Sequence, residues 1–392
     1  MAKTVVAIEI TEESVRAVEL TGGRKPQVIA YGEVPLPPDA ARDSEVVDQG
    51  AVALAVRQLW SSARIKSRDV HLGVASRRVL VREYTTKAMR PDLLKQALPF
   101  QVQDLLPVPA SQAVLDFYPL GQDGDDVHGL LVAAVSETIE QIIAALSRAK
   151  LRVVGVDLTA FGLARASAVI ANAGATVAMV YVGDHTTQVV VARGGIPLFV
   201  RLIPVDVPTT AVARGLAPAG APPLQMHPRA AASGTKAGAH NGTDDLEAMF
   251  AMASAGEEPG DVSTGAAARG LTTGVTEVTP TAPLSTSGIL PRTRGQARGT
   301  GPDPSINDVV ARVRSTLAFY GGREGALPVA GVIVSGAGAA VPGMAGALAS
   351  AIDIPVHAVG ADAIAPIRGA APAGDLALNL VSTVGIALGE DH

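Results

Sequence analysis

Cysteine is absent from this chain of 392 residues. That excludes disulfides, thiol nucleophiles and cysteine-ligated metals. Aromatic residues are scarce, at 3% against 48% hydrophobic residues overall. The core is therefore built from small aliphatic side chains, which suits close packing of strands against helices. No strong charge of one sign is present either. A formal net charge of −5 offers no basic field, so nucleic acid is not expected as a partner. The histidines (His71, His128, His185, His227, His240, His357 and His392) lie far apart, with no spacing of the H-E-x-x-H kind. No metal site is expected from them.

A membrane-spanning run is lacking too. Gly325 to Ile352 carries no charge, but Pro328, Pro342 and several glycines interrupt it. It reads as a buried strand from Val329 to Val334, a glycine turn and a helix from Gly343. A turn exposed to lipid would strand backbone polar groups, so a soluble α/β protein is expected. The opening apolar run stops at Glu9, which argues against a signal peptide.

Strand patterns open the chain at Thr4–Ile10, Val15–Leu20 and Val28–Glu33, with a Gly22-Gly23 hairpin turn between the last two. A helix over Ala51–Ser62 follows, then strands at Val70–Ala75 and Val79–Tyr84. Pro91 opens a further helix, which Pro99 should kink or interrupt. Strands at Val114–Tyr118 and Val127–Val135 precede a helix that Ser136 can cap. Asp125-Asp126 reads as a solvated pair in a turn. After a strand at Val153–Leu158 and a helix at Ala160–Ile170, the opening pattern returns. Val177–Val182, Thr187–Ala192 and Ile196–Ile203 are strands, and Gly194-Gly195 is the hairpin turn. The repeat points to an internal duplication.

Leu216 to Pro304 is dominated by Ala, Gly, Pro, Thr and Ser, with Phe250 its single aromatic. Such a stretch cannot bury enough apolar area to offset chain entropy and is expected to be disordered, with a short helix at Asp244–Met252. Order is expected to resume at Ser305, a good N-cap. Ile306, Val309, Val310, Val313, Leu317 and Tyr320 form one helix face. A last strand at Ile354–Val359 and a helix at Ala377–Leu388 close the chain.

Two such meanders, with a late strand ending in Ser335-Gly336-Ala337-Gly338, resemble the actin–Hsp70–sugar-kinase fold. The segment Ile8-Glu9-Ile10-Thr11-Glu12-Glu13-Ser14-Val15-Arg16-Ala17-Val18-Glu19-Leu20 is similar to the opening of the PilM family of type IV pilus assembly proteins, relatives of FtsA. Leu106-Pro107 with Val114-Leu115-Asp116-Phe117, the run Val156 to Ala166, Arg314 to Tyr320 and Val332 to Gly336 resemble that family as well. The resemblance implies an actin-like ATPase fold in two duplicated halves, with an FtsA-type small α/β module inserted in the first. The expected first subdomain is 1–84 with 153–175 and 372–392. The module is 85–152, the second subdomain is 176–215 with 305–371, and 216–304 is a disordered insert.

In that superfamily two turns hold the β- and γ-phosphates and the late glycine loop holds the adenosine. The resemblance places Glu9, Thr11, Ser14 and Arg16 at the first turn and Gly183, Thr186 and Thr187 at the second. Ser335, Gly336 and Gly338 fall in the late loop. The aspartate of the first turn is replaced by Glu9 and that of the second by Tyr181, which cannot position magnesium-bound water as a carboxylate does. Thr11 stands where glycine would allow a close approach to phosphate. Glu12 and Glu13 add negative charge there, and a like-charge pair at 4 Å costs about 4 kcal/mol at an effective dielectric of 20. ATP hydrolysis is therefore expected to be lost, while residual binding of ATP with magnesium stays open. No catalytic residue is assigned, because no other constellation such as a Gly-x-Ser-x-Gly elbow is present.

The family resemblance also implies partners. One is the short cytoplasmic tail of a PilN-like inner-membrane protein, bound as an extended peptide between the first subdomain and the module. Others are further components of the pilus machine at the inner face of the membrane, and self-association stays open. Leu94, Leu98, Phe100, Val102 and Leu106 are the candidate wall of that groove, with the module's own core as the competing reading. An FtsA-like membrane tether or polymer would need a basic amphipathic terminal helix, but Ala377 to His392 carries no Lys or Arg. An active actin-fold ATPase would need the missing glycines and aspartates.

Overall fold

The computed structural model describes residues 4–42, 45–215 and 304–391. The expectations for the 216–304 insert, including the helix at Asp244–Met252, lie outside the described residues apart from Pro304.

Strand β1 (Thr4–Ile10) is apolar on both faces except at Thr4 and Glu9, and it pairs antiparallel with β2 (Ser14–Thr21). β3 (Val28–Pro35) continues the meander, followed by a two-residue hairpin of β4 (Ala41–Arg42) and β5 (Glu45–Val46). Asp48 then accepts hydrogen bonds from the Gly50 and Ala51 amides and starts α1 (Gln49–Ala63). β6 (Asp69–Val74) returns parallel to β1. β7 (Val79–Lys87), α2 (Pro91–Gln101), β8 (Ala113–Asp123) and β9 (Asp126–Val135) come next, then α3 (Ser136–Arg148) and β10 (Arg152–Leu158). The first sheet has the order β10-β6-β1-β2-β3.

Helix α4 (Thr159–Ile170) leads into β11 (Thr176–Val182), β12 (Thr186–Arg193), β13 (Ile196–Pro204) and the short α5 (Thr210–Gly215). α6 (Pro304–Gly321), β14 (Gly331–Ser335), α7 (Met344–Ala351), β15 (Val356–Ala358) and α8 (Asp375–Ala387) complete the chain. The second sheet has the order β13-β12-β11-β14-β15, with β14 parallel to β11 and β15 parallel to β14. Each half is thus an antiparallel meander extended by two parallel strands in the same sequence. The duplication expected from the repeated strand pattern is present, and the architecture is actin-like.

Strand alternation in the two large sheets gives three large cores, apart from two small clusters in the module. Val6, Ile8 and Ile10 of β1 pack with Val52, Val56 and Leu59 of α1 and with Ile139, Ile142 and Leu146 of α3. Ala178, Val180 and Val182 of β11 pack with Ile306, Val309 and Val313 of α6 and with Leu348 of α7. The opposite faces meet in a central core: Ala7 from β1, Met179 and Tyr181 from β11, Leu163 and Ala164 from α4, and Val381 and Val384 from α8. α4 and α8 cross at two glycines. A Cβ on Gly385 would stand 2.0 Å from the Gly162 carbonyl oxygen, so only glycine permits that approach.

Several expectations shift. The inserted three-stranded sheet, of order β7-β9-β8, takes in all of β7 and so begins at Val79, not at 85. It ends at Val135, because the apolar face of α3 packs into the core of the first half. Helix α4 lies in the central core against the second sheet as well as the first, which blurs the expected boundary at 175. Residues 366–370 belong with the first sheet: Val28 exchanges backbone hydrogen bonds with Pro366 and Arg368, and Tyr31 Oη donates to the Ala370 carbonyl. α2 runs through Pro99. That proline sits in the last turn, where it removes only one hydrogen bond, and Leu98 and Val102 on either side are buried against Leu131. Ser136 is the first residue of α3, with Val135 at the cap position, and Ser305 is the second residue of α6, so neither is the cap. Asp126 opens β9 and pairs with Lys87 Nζ at 2.7 Å.

Candidate functional site

Glu9 and Tyr181 are each the sixth residue of the first strand of their half, and both face the central core. Their cross-strand partners on β2 and β12 are Arg16 and Gln188. A cross-strand partner shares its neighbour's face, so Arg16 projects from beside Glu9 toward the other half. It is 1% exposed. Its Nη1 donates to Tyr181 Oη at 2.6 Å and to the Asn379 carbonyl at 3.5 Å, and its Nη2 to Thr11 Oγ1 at 3.4 Å. Glu33 stands 3.8 Å from Arg16 Nε and accepts from Ser14 Oγ at 2.6 Å. Glu9, 4% exposed, accepts from Ser382 Oγ of α8 at 3.1 Å.

Burial works against the Arg16 charge, yet Tyr181, Glu33, Glu9 and Asp184 around it hold its pKa above the ordinary value. Burial pushes the Glu9 carboxyl up, with Arg16 opposing. Burial likewise raises the Tyr181 phenol. It also raises Asp184, again opposed by Arg16 and by Thr209, whose Oγ1 donates to Asp184 Oδ1 at 2.5 Å.

A second contact joins the halves above this one. His185, in the turn between β11 and β12, places Nε2 3.0 Å from Glu13 Oε1 in the turn between β1 and β2. Its Nδ1 lies 2.9 Å from Asp206 Oδ1, and Glu12 is 3.8 Å from Nε2. Arg77 donates to the His185 carbonyl at 2.9 Å. Hydrogen bonding to Glu13, against partial burial, and to Asp206 raises the imidazole pKa to about 9. His185 is therefore an imidazolium at neutral pH.

The residues assigned to nucleotide binding do come together, with hydrogen bonds within each turn and from the late loop to α8, while Glu9 Oε1, Thr187 Oγ1 and Ser335 Oγ have no hydrogen-bond partner among the protein groups. Thr11 Oγ1 and the Ser14 backbone are hydrogen-bonded across the first turn, and the Gly183 amide donates to the Thr186 carbonyl across the second. Thr187 and Ser335 are fully buried. In the late loop the Gly336 amide donates to the Leu378 carbonyl at 3.1 Å and the Ala337 amide to Asn379 Oδ1 at 2.7 Å. Gly336 has φ +85°, and a Cβ there would stand 2.3 Å from the Val182 carbonyl oxygen; one on Gly338 would strike Val182 Cγ1 at 2.3 Å. These glycines let the loop lie against β11.

A magnesium–nucleotide fits this set of groups poorly. A guanidinium lies between the two positions that would flank the metal, and loop amides that would face the nucleotide are bonded to α8. Glu33, Asp184 and Asn379 of this cluster were not singled out by sequence reasoning. Asn379 had one signal, a lone amide in the apolar run Leu376-Ala377-Leu378-Asn379-Leu380-Val381. Among the described residues no group of His, Asp and Glu could hold a metal ion.

The module residues separate by face. Leu98 and Val102 are buried with Leu131, while Leu94 and Leu106 are half-buried on the same cluster with Tyr84, Leu115 and Phe117. Phe100, at 83% exposed, points away from them. The expected groove wall therefore does not form as one surface, because the helix turns Leu98 and Val102 onto the module's own sheet. An open cleft lies elsewhere. It has a volume of about 920 Å³ and runs between the Gly22-Gly23 and Gly194-Gly195 turns. Val5, Tyr118, Phe161, Arg165, Val169 and Ile196 line it. Tyr118 of the module's edge strand β8 packs on Phe161 of α4, with ring centroids 5.1 Å apart. Arg165 is held by Asp157 and by the Gly385 carbonyl.

Among the described residues no helix is long and apolar enough to cross a membrane. A solved PilM–PilN type IV pilus biogenesis complex matches over 98% of this chain and 97% of that chain, with 18% identity and a TM-score of 0.68. The ethanolamine utilization protein EutJ from Carboxydothermus hydrogenoformans matches with 12% identity over 99% and 90% of the two chains, at a TM-score of 0.45. The cytoplasmic domain of EpsL, an inner-membrane component of the Vibrio cholerae type II secretion system, matches over 52% of this chain and 71% of that one, with 12% identity and a TM-score of 0.36. The family described as type IV pilus assembly protein PilM matches residues 7–203, half of the chain. This protein belongs to the PilM family of type IV pilus assembly proteins.

Proposed function

We propose that this protein is a scaffold of the type IV pilus machine at the cytoplasmic face of the inner membrane, and that it grips the cytoplasmic tail of a PilN-like protein. The observation that carries this reading is the cleft at Tyr118 and Phe161, where the inserted module meets the body of a PilM-family chain. Its apolar floor, its exposed turns and the fixed Arg165 guanidinium suit an extended peptide that presents apolar side chains and backbone carbonyls. Strand β8 lies at the edge of the module sheet and offers backbone groups for strand addition. Catalysis has no place in this reading, because charge stabilisation and metal positioning supply most of phosphoryl transfer, and Glu9 and Tyr181 are tied to Arg16 and α8.

The test is fluorescence anisotropy with a labelled peptide copied from the N-terminal tail of the cognate PilN-like protein. Saturable binding is expected, unchanged by Mg-ATP and weakened at least tenfold by Tyr118→Ala. A peptide that fails to bind the wild-type chain would sink the reading.

A further inference from the structure

The resemblance to the actin–Hsp70–sugar-kinase fold would place the phosphates of a nucleotide at the two hairpin turns, between the halves. Here the same two turns are joined by the chain's own side chains at two levels. The inner link is Arg16 to Tyr181 and to the Asn379 carbonyl, buried, with Glu9, Glu33 and Asp184 around the charge. The outer link is Glu13 to His185 to Asp206, with Arg77 holding the His185 carbonyl. Glu12 and Glu13, which would repel a phosphate, face His185 instead.

We propose that Arg16 and His185 take the place of a magnesium–nucleotide as the clamp between the halves, fixing the closed arrangement without ligand. The inference rests on the reading of this cleft as one without nucleotide chemistry and is independent of the partner at Tyr118.

The geometry carries it in three ways. First, a guanidinium is a fixed, permanently charged group with several donors, and it sits between Glu9 and Tyr181, the two positions related by the internal duplication. Second, the cluster is closed to solvent: Arg16, Glu9 and Tyr181 are all buried. A buried charge of this kind persists only when surrounded by compensating groups. Third, the late loop is bound to α8 through Asn379, and the same residue contacts Tyr181, with Oη to Oδ1 at 3.3 Å. Both sheets, the late loop and α8 therefore converge on one cation. A ligand could bind only by breaking that set of contacts.

The test is amide hydrogen exchange with parallel thermal melts on the full chain, for wild type, His185→Gln and Arg16→Met, each with and without millimolar Mg-ATP. Wild type should show neither a change in melting temperature nor new protection when Mg-ATP is added. His185→Gln should speed exchange at both turns, Thr11–Ser14 and Gly183–Thr186, although the change lies in only one of them. Arg16→Met should lower the melting temperature by more than about 3 °C. If that variant does not fold, His185→Gln, which alters a partly exposed side chain, still decides. Protection of the two turns by Mg-ATP in wild type would overturn the proposal. So would His185→Gln altering exchange in its own turn alone.

Discussion

Arg16 Nη1 and Tyr181 Oη, 2.6 Å apart and 165 residues apart in sequence, tie the first strand pair of one half to the first strand of the other. Both side chains are buried, so the bond has no competition from water. Replacing Tyr181 by Phe keeps the ring and leaves the guanidinium short of an acceptor. A hydrogen bond to a charged group is worth about 1.5–3 kcal/mol. Tyr181→Phe is therefore expected to lower the unfolding free energy by about 2 kcal/mol in urea titrations. An unchanged midpoint would mean that the Asn379 carbonyl suffices.

Glu9 behaves in the opposite sense. Burial raises its pKa, so the fold favours the protonated carboxyl more than the unfolded chain does. Glutamine imitates that neutral form. Glu9→Gln is expected to leave thermal stability at pH 7 equal or raised, since Glu33 remains beside Arg16. A fall of more than about 1 kcal/mol would show that the ionised carboxylate is needed.

The pH dependence follows from His185, whose pKa is raised to about 9 in the folded protein. A base with a raised folded pKa contributes stability that is fully present below its unfolded pKa, near 6.5. That stability is lost as pH rises through about 9. The groups facing the ring are Glu12, Glu13 and Asp206, with Arg77 beside its carbonyl and Asp184 next in sequence. Melting temperature should decline between pH 7 and pH 9.5 in wild type and lose that slope in His185→Gln. Equal slopes in the two proteins would assign the decline to other groups.

Gly385→Ala tests the helix crossing at the centre. Alanine is better than glycine in a helix by about 1 kcal/mol. Against this, its Cβ would stand 2.0 Å from a backbone oxygen that cannot move alone. The clash is expected to win, with a net loss of about 3 kcal/mol or of soluble protein altogether. Wild-type melting of this variant would show that α4 and α8 can separate freely.

The wall of the cleft at Tyr118 and Phe161 gives a fifth contrast. Ile196 is 45% exposed at its rim and Phe100, on α2, is 83% exposed. Ile196→Glu is expected to weaken the tail peptide at least tenfold, whereas Phe100→Ser should leave it unchanged. The reverse ranking, read by anisotropy, would move the peptide to α2.

The sequence by itself determined the duplicated strand pattern, the Gly194-Gly195 turn and which residues stand at positions 9 and 181. These are local: two-residue alternation, turn glycines and identity at a motif position are written in adjacent residues. Only the tertiary structure decided what the side chains at those positions touch. Arg16 lay within the motif as a nucleotide residue, but its partners Tyr181 and Asn379 come from distant strands and a distant helix, and no local pattern encodes such a pairing. Similarly, the apolar spacing of α2 marked Leu98 and Val102, while the fold of the module chose which face they cover. Periodicity shows that a face is apolar; what packs on it depends on long-range contacts, which form only when the whole chain closes.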